Sequence, residues 1–121
     1  MNRPFIMIVE DDIELSDIIS TVLQDSGLFT ETVRDGGLAF DRISATEPDV
    51  ILLDMHLPNV SGSDILASIR STPRLSRTRV VITTADALLG RANEDKADLV
   101  LIKPITFDQI VGLTTRLARL S

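Results

Sequence analysis

Short apolar runs alternate with segments of helical periodicity along the chain. The apolar runs have the length of β-strands, and they are FIMIV (5–9), LFTETV (28–33), DVILL (49–53), RVVITT (79–84) and LVLI (99–102). The segments that follow them repeat apolar residues every three or four positions, as on one face of a helix. These segments are 13–25, 37–45, 62–70, 88–93 and 107–120. Five repeats of strand and helix predict an α/β fold with a parallel sheet.

The polarity of each predicted strand indicates its place in the sheet. Strands 1, 3, 4 and 5 are continuous apolar runs, so we expect them to be buried on both faces as central parallel strands are. Strand 2 alternates apolar and polar residues, which is typical of an edge. The common order 2-1-3-4-5 of doubly wound sheets places strand 2 at an edge. We therefore predict one domain over residues 1–121, a (βα)5 flavodoxin-like fold with a five-stranded parallel sheet in that order.

Polar side chains follow the predicted strands at the sheet edge where such folds bind ligands. They are Glu10 and Asp11 after strand 1, Asp54 after strand 3, Thr84 at the end of strand 4 and Lys103 after strand 5. Two carboxylates about 4 Å apart repel by roughly 4 kcal/mol at an effective dielectric constant of 20, so a cation must offset the repulsion. Oxygen ligands without Cys or His favour Mg²⁺ or Mn²⁺.

A phosphoryl group would complete the charge balance of this edge. Such a group carries a charge of about −1.5 to −2, and it would lie between the metal ion, the Lys103 ammonium and the Thr84 hydroxyl. Asp54 then ends an apolar strand because its carboxylate is presented as a nucleophile. The sequence therefore predicts a phosphoryl-accepting site.

The segments IVEDD, LLDMHLP, VITTA and LIKP, in this order and spacing, resemble the receiver domain of two-component response regulators, of the single-domain chemotaxis-regulator kind. The resemblance implies that Asp54 takes phosphoryl from a histidine kinase or a phosphotransfer protein. It implies that Glu10, Asp11, Asp54 and the backbone carbonyl of His56 bind Mg²⁺, and that Thr84 and Lys103 contact the phosphoryl oxygens. It also implies a cis peptide before Pro104. Such a protein is no enzyme beyond catalysing its own phosphorylation and dephosphorylation, and it signals to a downstream partner.

Several of these residues have a second interpretation. Asp12 is expected to cap the first helix rather than to join the metal site. Glu10 acts on the metal ion either directly or through water. Thr83 is expected to face the core or a helix, and the side chain of His56 is expected in a solvent-exposed loop. The side chains of His56 and Asp86 are both placed to affect how water reaches the phosphoryl group.

The chain departs from the family pattern between strand 4 and its last helix. The interval from Thr84 to Lys103 is about one helical turn shorter than in the family, which predicts a short fourth helix. That helix contains Gly90, which costs roughly 1 kcal/mol relative to Ala in a helix interior. Val100 occupies a position that is aromatic in the family, so an aromatic rotamer switch is absent from this chain.

The last predicted helix carries two neighbouring apolar stripes at 100° per residue. One comprises Phe107, Ile110, Val111, Thr114 and Ala118, and the other comprises Leu113, Leu117 and Leu120. The second stripe either widens the core face or forms a surface for a partner or a homodimer. The sequence leaves open whether the chain stands alone or is part of a longer protein.

Composition and charge narrow the classes of function. The chain has no Cys, which excludes disulfides, thiol chemistry and zinc sites built from Cys. The first apolar run is too short for a signal peptide or a membrane span. A net charge of −6 without a Lys/Arg cluster would repel a phosphate backbone. We therefore expect a soluble, cytoplasmic protein that binds neither nucleic acid nor membrane.

Three other functional classes share features with this pattern. A flavodoxin would need a hydroxyl- and glycine-rich loop after strand 1, whereas the chain has EDDIELSD. A haloacid dehalogenase-type phosphatase resembles D-x-D-x-T, whereas His56 stands where the second acid would be. A phosphorylation-independent interaction scaffold would not need the complete set of acids and lysine. A phospho-accepting receiver accounts for more of the residues than any of these.

Overall fold

The computed structural model describes residues 3–120, which form a five-stranded sheet flanked by helices. The strands are β1 Phe5–Val9, β2 Phe29–Val33, β3 Val50–Asp54, β4 Arg79–Thr84 and β5 Leu99–Ile102. All neighbours are parallel and the order is β2-β1-β3-β4-β5. The predicted fold class and strand order are therefore confirmed.

Five α-helices connect or follow the strands. They are α1 Ile13–Asp25, α2 Gly36–Ala45, α3 Gly62–Arg70, α4 Ala87–Ala92 and α5 Phe107–Arg119. Two short 3₁₀ turns, Pro73–Leu75 and Glu94–Lys96, were not predicted. The predicted boundaries agree with these to within one residue. The one shift that bears on the site is in β3, which extends through Asp54 rather than ending at residue 53.

Each α-helix begins at a residue whose side chain accepts a hydrogen bond from a backbone N–H of the first turn. These N-cap residues are Asp12, Asp35, Ser61, Asp86 and Thr106. Such caps satisfy N–H groups that have no partner within the helix. The prediction that Asp12 caps α1 is confirmed, since its carboxylate accepts from the N–H of Leu15 at 3.0 Å. Local sequence thus specifies where each of the five α-helices starts.

The side chains of the sheet alternate between two apolar layers. One layer includes Met7, Ile51 and Leu53 with residues of α2 and α3. The other includes Ile8 and Leu52 with residues of α1 and α5. Helices therefore cover both faces of the sheet, as the continuous apolar runs of its central strands require.

The expectation that β5 is buried on both faces is wrong. Its four residues are half-buried or exposed, and Ile102 is 42% exposed. The reason is that β5 lies at an edge of the sheet and pairs with β4 alone, while the adjacent α4 has only six residues. Apolar content alone did not distinguish an edge strand from a central one.

The two apolar stripes of α5 are buried to different extents. Ile110, Thr114 and Ala118 are buried, but Phe107 of the same stripe is 38% exposed. In the second stripe, Leu117 packs against the core, whereas Leu120 is 62% exposed. The second stripe therefore widens the core face at Leu117 and leaves Leu120 at the surface.

Within residues 3–120, every helix is too short or too polar to cross a membrane. The peptide between Lys103 and Pro104 is cis, as the resemblance implied.

Candidate functional site

The carboxyl ends of β1, β3 and β5 bring three charged side chains together. Glu10 follows β1, Asp54 ends β3 and Lys103 follows β5, so that residues far apart in the chain meet at one edge of the sheet. All three continue the alternating positions that face α1 and α5. Strand period and strand order together therefore build the site.

Three carboxylates form the acidic part of the site. Glu10, Asp11 and Asp54 each place a carboxylate oxygen within 4.8 Å of the other two. Glu10 and Asp54 are each 4% exposed, whereas Asp11 is exposed to solvent. The cluster predicted from the sequence is therefore present, with two buried members and one at its mouth.

Lys103 supplies the positive charge next to the two buried carboxylates. Its Nζ lies 3.1 Å from Glu10 Oε1 and 3.7 Å from Asp54 Oδ2. The lysine side chain is 30% exposed, so its ammonium remains accessible from the sheet edge. One ammonium faces three carboxylates, which leaves the site with an excess of negative charge.

The excess of negative charge affects the protonation of Glu10. The pKa of Glu10 is raised from 4.5 to about 7, first by burial and then by a hydrogen bond and charge repulsion from Asp54. Hydrogen bonds from the Asp12 N–H and from Lys103 oppose that rise in the pKa. Burial, together with the neighbouring Asp54 carboxylate, thus favours the protonated form of Glu10 near neutral pH.

The donor set fits a hard divalent cation. The converging atoms are carboxylate oxygens, and no His or Cys side chain joins the cluster within the described residues. Mg²⁺ is commonly bound through one or two carboxylates, with water and phosphate completing its shell. Glu10, Asp11 and Asp54 could therefore hold such an ion, which would relieve their mutual repulsion.

His56 lies in the loop between β3 and α3, next to Asp54. Its side chain is exposed, as predicted, and its backbone N–H donates to Asp54 Oδ1 at 3.0 Å. This bond fixes the peptide immediately before the His56 carbonyl, which the resemblance implies is a metal ligand. The role of that carbonyl stays a prediction.

The two threonines at the end of β4 face opposite sides of the sheet. Thr84 is fully buried, and its hydroxyl accepts a hydrogen bond from the N–H of Asp86 at 3.0 Å. No hydrogen bond joins Thr84 to Asp54 among residues 3–120. Thr84, assigned to the site from the sequence, thus lies at the right edge but directs its hydroxyl to the loop before α4.

Thr83, rather than Thr84, lies on the same face as the charged residues. It pairs with Asp54 in the register of β3 and β4. Together with Glu10 and Lys103 it lines a cavity of about 210 Å³ between α1 and α5. Sequence reasoning placed Thr83 against the core or a helix, and only the period-2 alternation from Val81 could have indicated its place beside Asp54.

Sequence comparison finds one family over most of the chain. Residues 6–115 match the model of the response regulator receiver domain. The DNA-binding response regulator MtrA of Mycobacterium tuberculosis (strain CDC 1551 / Oshkosh) is 32% identical over 115 residues, which cover 91% of this chain and 48% of that protein. The transcriptional regulatory protein CutR of Streptomyces coelicolor is 32% identical over 117 residues, which cover 94% of this chain and 53% of that protein. The chain thus spans about half the length of these curated relatives.

Solved structures share the fold over nearly the whole chain. The chemotaxis response regulator CheY4 of Vibrio cholerae superimposes with a TM-score of 0.88 at 23% identity, covering 96% of this chain and 99% of that chain. The response regulator TrrA of Thermotoga maritima, in complex with Mg²⁺-BeF, has a TM-score of 0.84 at 22% identity, covering 94% of this chain and 98% of that chain. At these identities the likeness concerns the fold.

Proposed function

Because residues 6–115 match its model, the chain belongs to the response regulator receiver domain family, and we propose that it accepts a phosphoryl group on Asp54. One observation carries the proposal. The Asp54 carboxylate ends a central strand, where it is buried beside two other carboxylates and within 3.7 Å of the Lys103 ammonium. Among the described residues, Asp54 thus lies between the Lys103 ammonium and the carboxylate cluster that could hold a divalent cation. This position suits its carboxylate to act as a nucleophile.

The proposed reaction transfers phosphoryl from nitrogen to oxygen. The donor is a histidine kinase or a phosphotransfer protein that carries phosphohistidine. An Asp54 carboxylate oxygen forms a bond to phosphorus, the bond from phosphorus to the imidazole nitrogen breaks, and the imidazole leaves with the electron pair and takes a proton. Water later attacks the aspartyl phosphate, which returns the Asp54 carboxylate and releases inorganic phosphate.

The surrounding residues then have separate roles. Glu10, Asp11, Asp54 and the His56 carbonyl would hold Mg²⁺, which when bound neutralises negative charge on the carboxylates and on the transferring group. Lys103 holds a phosphoryl oxygen through its ammonium group. Thr84 donates its hydroxyl proton to another phosphoryl oxygen, since the bond from the Asp86 N–H uses the hydroxyl only as an acceptor.

The proposal includes partners and a switch of conformation. Phosphorylation of Asp54 is proposed to change the loop before α4 and so the surface that a downstream protein contacts. Contact between two copies through α5 stays a prediction, for which the exposed Leu120 is the relevant feature. A single domain over residues 1–121, the absence of nucleic-acid binding and a cytoplasmic location also stay predictions.

Incubation with acetyl phosphate and Mg²⁺, followed by intact-mass spectrometry, tests the site. We expect the parent protein to gain one phosphoryl group that hydroxylamine removes, since hydroxylamine cleaves acyl phosphates. Asp54→Asn should remain unlabelled, because a side-chain amide does not act as a nucleophile toward acetyl phosphate.

Asp12→Asn is the matched control for that experiment. Asp12 is an exposed neighbour of the cluster that caps α1, and asparagine caps helices as well as aspartate does. This variant should be labelled like the parent protein. Labelling of Asp54→Asn at the parental level would overturn the assignment of Asp54.

A further inference from the structure

The loop between β3 and α3 is attached to the site at its start and closed on itself at its end. At its start, the His56 N–H donates to Asp54 Oδ1. At its end, the Gly62 N–H donates to the Met55 carbonyl at 3.4 Å, and the Gly62 backbone lies so close to Met55 that a Cβ there would be 2.6 Å from Met55 Cα. These contacts close the loop but leave its tip, residues 58–60, to be held by other elements.

The tip of the loop rests on the start of α2. Gly36 is packed against it so closely that a Cβ would lie 2.8 Å from Val60 Cβ and 2.9 Å from the Val60 carbonyl oxygen. At the tip, Asn59 has a φ of 73°, and Val60 N–H donates across it to the Pro58 carbonyl at 2.9 Å. Asn is one of the few residues other than Gly that adopts such a φ readily.

The two carboxylate oxygens of Asp35 have different partners. Oδ1 caps α2 by accepting from the N–H groups of Gly37 at 2.8 Å and Leu38 at 3.1 Å. Oδ2 accepts from the side-chain amide of Asn59. Capping alone would be satisfied by Oδ1, so the bond from Asn59 to Oδ2 is an additional link between α2 and the loop tip.

We propose that the pair Asp35–Asn59 is a positioning device for the metal site, because it holds the tip of the loop whose first residues carry the His56 carbonyl. The inference rests on the proposed function, in which that carbonyl is a metal ligand. Only two residues separate His56 from Asn59, so a loose tip allows the carbonyl to move relative to the carboxylates of Glu10, Asp11 and Asp54. Groups that orient metal ligands commonly influence metal affinity without touching the ion.

The experiment measures the Mg²⁺ dissociation constant by calorimetry in the full chain. Asp35→Ser keeps an oxygen that caps α2 but removes Oδ2, the acceptor of the Asn59 bond. We expect the dissociation constant to rise about tenfold, the lower end of the effect of outer groups on metal affinity. Exchanging the two side chains, with Asp35→Asn and Asn59→Asp together, keeps one donor, one acceptor and the parental net charge, so the constant of this double variant should stay near the parental value.

Two controls separate positioning from charge and from stability. Asp64→Asn removes an equal charge from an exposed carboxylate in the first turn of α3 and should change the constant little. Thr106→Ala removes the cap of α5 and should lower the free energy of unfolding. Because residue 106 does not contact the loop between β3 and α3, the Mg²⁺ dissociation constant should stay unchanged. Thermal unfolding of every variant is recorded alongside.

Two results would overturn the inference: an effect of Asp35→Ser no larger than that of Asp64→Asn, or a double variant that binds Mg²⁺ no more tightly than Asp35→Ser. If either occurs while Asp11→Ala loses Mg²⁺ binding, the metal site stands and only the positioning role fails. If Asp11→Ala binds Mg²⁺ as the parent does, the metal site itself is wrong and the inference falls with it.

Discussion

At the scale of single residues, Gly90 shows how a position can be explained only by its neighbours. By helix propensity alone, glycine at this position destabilises α4 by roughly 1 kcal/mol relative to Ala. In the folded chain, however, a Cβ on Gly90 would lie 2.8 Å from Val100 Cγ1 and 3.2 Å from Thr84 Cγ2. The helix α4 therefore approaches β4 and β5 at a distance that only glycine allows.

Gly90→Ala should destabilise the protein although alanine favours helices. Overpacking costs about 1–3 kcal/mol, which exceeds the gain in helix propensity of about 1 kcal/mol. Urea denaturation should therefore show a lower free energy of unfolding. Gly112→Ala in α5 is the control, because a Cβ there meets nothing within 4 Å and should stabilise the protein by roughly 0.5–1 kcal/mol. Equal stabilisation by both substitutions would show that α4 is free to shift away from the sheet.

At the scale of elements, the segment from β4 to α4 is where the site meets a short helix. The Thr84 hydroxyl is bonded to the Asp86 N–H, and the Asp86 carboxylate in turn caps α4. Because a hydroxyl both accepts and donates, a Thr84 that moves to donate its proton to phosphoryl would shift the oxygen that the Asp86 N–H now contacts. Val100 is too small and too restricted at χ1 to act as an aromatic switch, so the loop itself is the element available for the response.

Binding of a phosphoryl mimic at Asp54 should change the amide chemical shifts of residues 85–90, of α4 and of the Leu113/Leu117/Leu120 side of α5. The reason is that the new hydrogen bond to Thr84 favours a second arrangement of the loop. Thr84→Val keeps the side-chain shape but removes the hydroxyl, and it should abolish the distant changes.

Thr83→Val is the control for this prediction, since Thr83 lies on the face of β4 opposite to that of Thr84. It should leave the distant shifts as they are in the parent protein. Changes limited to the residues around Asp54 in the parent protein would exclude this route and indicate a response on another face.

At the scale of the whole molecule, the acidic site links segments from both ends of the chain. The ion pair between Lys103 and Glu10 joins residues separated by 93 positions, and the carboxylates come from β1 and β3. The site exists only when the sheet is assembled, since the unfolded chain has no such cluster. An ion that binds there must therefore stabilise the entire fold.

Mg²⁺ should raise the melting temperature of the protein. Binding to the native state alone adds about 2.7 kcal/mol to the free energy of unfolding when the ion concentration is about 100 times the dissociation constant. Asp11→Ala should lose most of this increment, because it removes one of the three carboxylates. Differential scanning calorimetry with Mg²⁺ and with EDTA measures the effect.

Asp12→Ala is the matched variant for that measurement. It removes the cap of α1, so its melting temperature should be lower without Mg²⁺, but it should retain the increment that the ion produces. An equal increment in Asp11→Ala and in the parent protein would remove Asp11 from the metal site.

The sequence by itself determined the five strands and five α-helices, their order and the charged residues that the sheet brings together. Strands and helices differ in the period of their apolar residues, and a cap such as Asp12 accepts a hydrogen bond from a backbone N–H two or three residues later. Both features are therefore encoded locally. The meeting of Glu10, Asp54 and Lys103 also followed, because the ends of parallel strands share one edge of the sheet.

Only the tertiary structure decided how far the edge strand is covered and which side chains meet beyond that shared edge. The exposure of β5 depends on what covers an edge strand, and the pairing of Thr83 with Asp54 depends on the register of β4 with β3. The bond between Asp35 and Asn59 joins residues 24 positions apart in two different loops. Such contacts depend on distances between elements, which are set by the packing of the whole core rather than by any local period.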